Sequence, residues 1–292
     1  MASNPIDTVK LTHPTAEIFI PDGVPVEKAL ARTTHMGIGA HPDDLEFMAL
    51  HGILECFQKT DQWFTGVTVT DGRGSARAGD YARYTDDEMR LVRRGEQKKA
   101  AMIGEYGAMI CLDFPSAAIK KPDHREVIAE LKTLIAAATP DVIYTHNPAD
   151  KHDTHLAVLL PVLAAIRELP ESQRPQALYG CEVWRNLDWL LDKEKVTLNV
   201  SGRENLAMSL MGVFDSQIAG GKRYDLATQG RKRANATYFE SHATDKTTAL
   251  EFAMNLTPLV KDPSLDIRRY VAGFITRFAD DVNVRLSKFL PH

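Results

Sequence analysis

The sequence predicts an α/β fold, a Rossmann-like, mostly parallel sheet with helices on both faces and the active site at the carboxyl ends of the strands. Three observations predict it. Short apolar runs of strand length alternate with longer segments of helical periodicity. That alternation is what strands joined by helical crossovers produce. Two dense polar knots, Gly39-Ala40-His41-Pro42-Asp43-Asp44-Leu45-Glu46 and His146-Asn147-Pro148-Ala149-Asp150-Lys151-His152-Asp153-Thr154-His155, each stand where a strand hands over to a helix. Ligands of such sheets bind outside the carboxyl ends of the strands, so the fold brings both knots to one rim.

The elements follow in order. Residues 1–33 are Pro-rich and read as an extended N-terminal arm. Met36 to Ala40 is a buried strand. Leu45 to Lys59 reads as one helix, with Phe47, Leu50, Ile53, Leu54 and Phe57 at helical spacing. Phe64 to Val69 is a second strand, ended by Asp71-Gly72. A Gly/Arg/Ala loop runs from Gly72 to Tyr84, and Thr85-Asp86-Asp87-Glu88 is a capping box that opens a helix through Gly104. Ala108 to Leu112 is a strand, Glu126 to Ala138 a helix, and Asp141 to Tyr144 a strand leading into the second knot. Leu156 to Leu169 is a helix stopped at Pro170. Leu178 to Trp184 and Val196 to Val200 are strands, and from Gly202 onward the pattern is mainly helical. Residues 34–292 therefore read as a single α/β domain with a mainly helical C-terminal part.

The 292 residues, 44% hydrophobic and 25% charged, are an ordinary globular composition. A net charge of -4 gives no basic footprint for nucleic acid. Cys56, Cys111 and Cys181 are far apart and have neither metal-ligand nor disulfide-framework spacing, so they read as reduced core thiols. Met1 to Asp7 has no secretory pattern, and no apolar run reaches the ~18 residues of a membrane span. The expectation is a cytoplasmic protein without membrane contact. Assembly into a homo-oligomer is compatible with these numbers.

The knots carry the chemistry. One imidazole and one carboxylate from the first, with one imidazole from the second, make an open three-ligand site of the kind that holds a catalytic zinc. The spare carboxylates and imidazole suit proton transfer in a metal-assisted hydrolase. A capping role for the aspartates at a helix start is the plainer alternative. His152 and His155 share a face if the helix begins there, and Asp150 and Asp153 lie close enough to orient an imidazole. Gly37-x-Gly39 has the start of a dinucleotide fingerprint, but Pro42 stands in place of the third glycine. Arg73, Arg77, Arg83 and Arg93-Arg94 read mostly as a solvated face, from which one or two arginines could reach a polar substrate.

Ala40-His41-Pro42-Asp43-Asp44-x-Glu46 with the downstream Asp150-x-His152-x-x-His155 resembles the zinc-dependent N-acetylglucosaminyl deacetylases of the PIG-L/LmbE-like type. The similarity runs from Thr34 to Ser216-Gln217 and takes in Thr70-Asp71-Gly72 and Arg93-x-x-Glu96-x-x-x-Ala100. Position by position, the resemblance implies that His41, Asp44 and His155 hold Zn2+, other divalent ions being compatible with the same set. It implies that Asp43 is the general base and His152 the cationic partner of the oxyanion, with Asp150 grouped among the catalytic residues. His51 stands where a glycine is common, and Thr154 where an aspartate is common.

The expected reaction is hydrolysis of the N-acetyl amide of an amino sugar or its conjugate, a small-molecule partner, releasing acetate and a free amine. Arg73, Arg93, Glu182 and Trp184 are the candidates for gripping that substrate. Two other classes stay open at this point: a non-haem Fe(II) enzyme using a two-His-one-carboxylate triad, and a non-catalytic sugar- or metal-binding protein on the same fold.

Overall fold

The computed structural model describes residues 9–291, so the first eight residues of the arm and His292 lie outside the described part. In chain order the elements are β1 (Glu17–Phe19), α1 (Val26–Ala31), β2 (His35–Gly39), α2 (Asp44–Met48), α3 (Leu50–Cys56), β3 (Phe64–Thr70), α4 (Asp86–Ile103), β4 (Ala108–Phe114), α5 (Ser116–Ile119), α6 (Arg125–Ala138), β5 (Val142–His146), α7 (Asp153–Arg167), β6 (Ala177–Cys181), β7 (Lys195–Asn199), α8 (Glu204–Gly212), α9 (Asp215–Ile218), α10 (Tyr224–Tyr238), β8 (Leu250–Asn255), α11 (Thr257–Lys261) and α12 (Ile267–Ser287).

The strands form one eight-stranded sheet in the order β1-β4-β3-β2-β5-β6-β8-β7. The central five, β4 to β6 in that order, are parallel. The edges are antiparallel: β1 on β4 at one side, β8 on β6 and β7 on β8 at the other. β2 is the switch point. His35 pairs with Phe64 on one side and with Val142 on the other, so the chain winds outward in both directions from this strand. Crossovers leave β2 and β5 toward opposite faces there, and a crevice opens beyond their carboxyl ends.

Alternate residues of each central strand feed opposite cores. Met36 and Ile38, Val67 and Val69, and Ala108, Ile110 and Leu112 pack with α1, α6, α7 and α11. Phe64, Met109, Cys111 and Tyr144 pack with α2, α3, α4 and α8. Burial on both faces is why the strands read as nearly continuous apolar runs. On β2 the second face carries His35, stacked on Tyr144, followed by Gly37 and Gly39. A Cβ on Gly37 would come 2.7 Å from Phe64 Cζ, and one on Gly39 would come 3.0 Å from Asp44 Cβ. The Gly-x-Gly pair therefore serves close packing of the first knot on the strand.

Four expectations change. The arm is not simply extended, since Glu17–Phe19 adds an edge strand and α1 buries Ala29 and Leu30 in the core. The segment from Leu45 splits at Ala49 (φ −117°) into α2 and α3, a one-residue break that apolar periodicity cannot reveal. Helix α7 begins at Asp153, three residues before Leu156. The C-terminal part hides β8, whose Leu-Glu-Phe-Ala-Met-Asn sequence is rich in helix formers and becomes a strand by pairing between β6 and β7. The reciprocal capping box of Thr85 and Glu88 is present as expected. Among the described residues no helix is long and apolar enough to cross a membrane.

Two glycine substitutions should have opposite signs. Gly37→Ala should destabilise by about 1–3 kcal/mol, the cost of overpacking. Gly230→Ala, inside α10 with open space where its Cβ would go, should stabilise by roughly 0.5–1 kcal/mol. Urea denaturation midpoints read both, and a neutral Gly37→Ala would show that the strand face tolerates a methyl group.

Candidate active site

The first knot turns sharply as it leaves β2. Asp43 adopts φ 98°, in the left-handed region that strains a non-glycine residue. Three contacts from two side chains hold it there. Its N–H donates to Gln97 Oε1 at 3.0 Å, Arg93 Nη2 lies 3.2 Å from its carboxylate, and the same guanidinium donates to the Pro42 carbonyl. Gln97 is held in turn by Glu46, whose Oε1 accepts from Gln97 Nε2 at 2.8 Å and from Tyr106 Oη at 2.7 Å. All of these side chains are buried. Arg93 is thus no part of a solvated face.

Asp44 is the hub. Its Oδ2 accepts the His41 N–H at 2.7 Å and lies 3.2 Å from His41 Nδ1 and 3.4 Å from His146 Nε2, while its Oδ1 lies 3.4 Å from His155 Nε2. The rings crowd around it. His146 stacks on His155 at 3.8 Å between centroids, and His152 on the other side of His155 at 4.5 Å. Burial opposes the charge of Asp44, but His155 and His146 outweigh it and hold its carboxyl well below the usual range. Burial pushes Asp43 the other way, up to about 7, against the opposing pull of Arg93.

Asp150 orients His155. Its Oδ2 lies 3.1 Å from His155 Nδ1 and accepts the Trp184 N–H, and its Oδ1 accepts the His152 backbone N–H. A proton on His155 Nδ1 leaves Nε2 as the free nitrogen, buried and without a hydrogen-bond partner. Burial works against a charge on His155, yet Asp44 and Asp150 raise its pKa to about 9.

Two groups could hold an ion: His41, Asp44 and His155, or His146, Asp150 and His155. In each the donor atoms lie within 4.8 Å of one another. In the second, His146 Nε2 already accepts the Ala40 N–H at 2.9 Å and His155 Nδ1 is engaged by Asp150. The first leaves the orphaned His155 Nε2 available, and His41 and Asp44 line a cavity of about 610 Å³. Two imidazoles and a carboxylate, open on one side, fit a divalent metal of catalytic type.

The structure brings most of the anticipated residues together. His41, Asp43, Asp44, Arg93, His152, Glu182 and Trp184 line this cavity, with His155 and Asp150 just beneath its floor. Arg73 does not. It folds back on Asp71 at 2.6 Å and Asp87 at 3.3 Å, because the buried Asp71 carboxylate needs a partner. The loop after β3 still overhangs the site, through Gly72, Gly74, Ser75 and Ala76. Glu182 faces the cavity but is used internally, accepting from the Leu187 and Phe252 N–H groups and Asn235 Nδ2. Burial first, then His155 and His41, lower the His152 pKa to about 4, and among the described residues no carboxylate is hydrogen-bonded to its ring. Sequence reasoning missed Gln97, Tyr106 and Tyr224. Gln97 accepts directly from the Asp43 N–H, Tyr106 acts at second hand through Glu46, and Tyr224 reaches the cavity from α10, beyond either knot.

Residues 36–166 match the family model described as PIG-L: GlcNAc-PI de-N-acetylase, a stretch that contains both knots. The resemblance read from the sequence is shown over that stretch, and its extension to Ser216-Gln217 lies beyond the matched residues. No curated protein matches. Among solved structures, the chain is similar to the N,N'-diacetylchitobiose deacetylase from Pyrococcus horikoshii, at 14% identity and TM-score 0.61 over 80% of this chain and 86% of that one. It is similar to GalB, the 4-carboxy-2-hydroxymuconate hydratase from Pseudomonas putida KT2440, at 14% identity and TM-score 0.58 over 77% and 95%. It is also similar to the zinc-inhibited form of a teicoplanin deacetylase, at 14% identity and TM-score 0.53 over 76% and 97%. At these identities the likeness is one of fold.

Two measurements test this geometry. Glu46, fully buried, has its pKa raised by burial from 4.5 to about 8, against the hydrogen bonds from Tyr106 and Gln97. A carboxyl with a raised folded pKa favours the fold fully below the unfolded value and loses that contribution as pH rises through the folded one. Stability should therefore fall between pH 4.5 and about 8, and Glu46→Gln should flatten the decline. Parallel slopes for the two proteins in urea melts would assign the loss to other groups. In the second test, elemental analysis after dialysis should find about one divalent ion per chain and very little in His155→Ala. Asp150→Asn should weaken retention by roughly 10–100-fold, as expected for a group that orients a ligand. Equal metal in all three would remove His155 from the ligand set.

Proposed function

We propose that this PIG-L-type chain is a metal-dependent amide hydrolase that removes the acetyl group from the nitrogen of an amino sugar or amino-sugar conjugate. His41, Asp44 and His155 would hold the ion, zinc in our reading. Such an ion supplies a Lewis acid that polarises the amide carbonyl and lowers the pKa of a water toward neutrality.

The observation that carries the reading is the adjacent pair Asp43-Asp44. Asp44 is spent on three imidazoles, whereas Asp43 turns away, lines the cavity and touches only Arg93 among charged partners. A site that only bound a ligand has no use for a second, unligated carboxylate held in strained backbone beside the first. Asp43 accepts the proton of the attacking water, and the same carboxyl returns it to the nitrogen as the C–N bond breaks, giving acetate and a free amine. Arg93 keeps the Asp43 carboxylate aimed at the cavity. His152, which lines the cavity, is placed to donate an N–H toward the carbonyl oxygen. Asp150 is a positioning residue for His155. Trp184 offers its indole, stacked on His152 at 5.9 Å, as an apolar wall for a sugar face.

The fold alone does not decide the reaction, because the deacetylases and the hydratase share it. We read residues 34–292 as one catalytic domain, a view supported by α10, whose Tyr224, Arg231 and Lys232 line the same cavity as the first knot.

Purified protein should release amine and acetate from an N-acetylated amino sugar and should stop on chelation. Asp43→Asn should retain the metal while kcat falls by roughly 10²–10⁴, the usual worth of general acid–base catalysis. Asp44→Asn should lose metal and activity together. A fully active Asp43→Asn enzyme would sink this mechanism. Fe(II)-dependent consumption of O2, with no amine release on zinc, would favour the oxygenase-type triad instead. Arg73→Ala should leave KM within about twofold, the ordinary effect of a surface substitution.

A further inference from the structure

The cavity mouth holds cations that the hydrolysis does not use. Lys120 and Lys151 line it. Lys151 Nζ lies 6.0 Å from the centroid of the Trp184 indole, and Lys222 Nζ lies 5.5 Å from the same ring. Among the described residues, none of the three lysines has a carboxylate within ion-pair distance. The other cavity cations are engaged. Arg93 lies 3.2 Å from Asp43, Lys232 lies 2.7 Å from Glu251, and Arg231 donates to the Val183 carbonyl. The chain as a whole carries a net charge of -4, so this cluster is not a sample of a basic surface.

The indole near both lysines is packed in place. The backbone N–H of Trp184 donates to Asp150, the carboxylate that orients His155, and its ring stacks on His152 and meets Tyr224 edge-on at 5.9 Å. The unpaired ammonium groups are therefore placed one ring outward from His152. Two ammonium groups beside one ring leave a local excess of positive charge, and an anion seated beside that ring would relieve it. Lysine is a compact point charge, unlike the planar fork of arginine, so it suits a carboxylate and a phosphate alike.

We propose that the substrate bears an anionic group, carboxylate or phosphate, on its sugar or aglycone part, and that Lys151 and Lys222 receive it beside Trp184. This rests on the deacetylase reading of the same cavity and adds its specificity.

The test compares amine release from N-acetylglucosamine, N-acetylglucosamine 6-phosphate and N-acetylmuramic acid, which differ in bearing no charge, a phosphate or a carboxylate. At least one anionic substrate should exceed the neutral one in kcat/KM by about tenfold or more, the scale of one or two charge-assisted contacts in a partly solvated site. The advantage should vanish in the Lys151→Gln/Lys222→Gln double variant and shrink in about 0.5 M salt. The Lys→Arg double variant should keep it, which separates lost charge from lost folding. Preference for the phosphate or for the carboxylate identifies which anion the site takes. A neutral sugar hydrolysed as well as both anions, or a preference that survives the glutamine variant, would overturn the proposal. Calorimetry of glucosamine against glucosamine 6-phosphate, on metal-loaded protein, separates this failure from that of the catalytic reading. Tighter binding of the phosphate, lost in the glutamine variant, would uphold the anion site even if no N-acetyl sugar were hydrolysed. Equal affinities with no turnover would overturn both.

Discussion

Everything at this site depends on burying the carboxylate of Asp44. A charge taken out of water must be paired or it costs several kcal/mol, and Asp44 is almost wholly buried. Its partners come from two places far apart in sequence. His41 is its neighbour, but His146 and His155 reach it only because β5 lies directly beside β2 in the sheet. The pairing of His35 with Val142 and of Met36 with Ile143 thus does two things at once. It completes the core of both faces, and it closes the ring of imidazoles around the carboxylate. A slip of this register by one residue would turn the apolar residues of β2 to the wrong core and withdraw the histidines together.

The neighbouring carboxylate is governed by the opposite condition. Asp43 is as buried as Asp44 but has one guanidinium where Asp44 has three imidazoles, and its pKa moves up where that of Asp44 moves down. The two carboxylates leave the chain in different directions. The left-handed backbone at Asp43 makes the divergence possible, and its strain is held by Gln97, Arg93 and, behind them, Glu46 and Tyr106. Environments that push two adjacent titratable groups apart are a recurrent basis for dividing roles between them. Here the support comes from α4 and the turn after it. The helix that looked like a solvated face is the brace for the reacting pair.

How much of this was legible in the sequence depends on how local each signal was. The two knots, the parallel strands around them and the Thr85 capping box announce themselves through residue types within a few positions of one another. That both knots share one rim followed from the alternation of strands and helices, whereas the direct pairing of β5 with β2 is seen only in the structure. What was hidden is non-local or shared between states. Gln97 and Tyr106 carry no mark in the sequence, because their function is a hydrogen bond to Glu46 across more than one element. Arg73 and Arg93 are indistinguishable as sequence, yet one is captured by Asp71 and the other buried against Asp43. Strand β8 is built from helix-forming residues and exists because two unpaired strand edges flank it. Asp150 was rightly placed among carboxylates that orient an imidazole, but which ring it orients is a matter of angstroms: it is His155 Nδ1 and only the backbone of His152.

The electrostatics of the cavity divide into an inner and an outer part. Inside, the charged groups are engaged: Asp43 with Arg93, Asp44 with the histidines and Glu251 with Lys232 lie within 4 Å of each other, while Glu182 and Arg231 are held by neutral hydrogen-bond partners. Such a balanced interior holds its shape without a ligand, as preorganised catalysis requires. Outside, Lys120, Lys151 and Lys222 are left unbalanced around a fixed indole. The unbalanced part is where a partner's charge can still gain free energy, since compensated charges have little left to offer. In this reading selectivity for the substrate belongs to the rim and bond cleavage to the floor, with Trp184 joining the two: its backbone N–H is tied to Asp150, and its ring lies within 6.0 Å of both lysines.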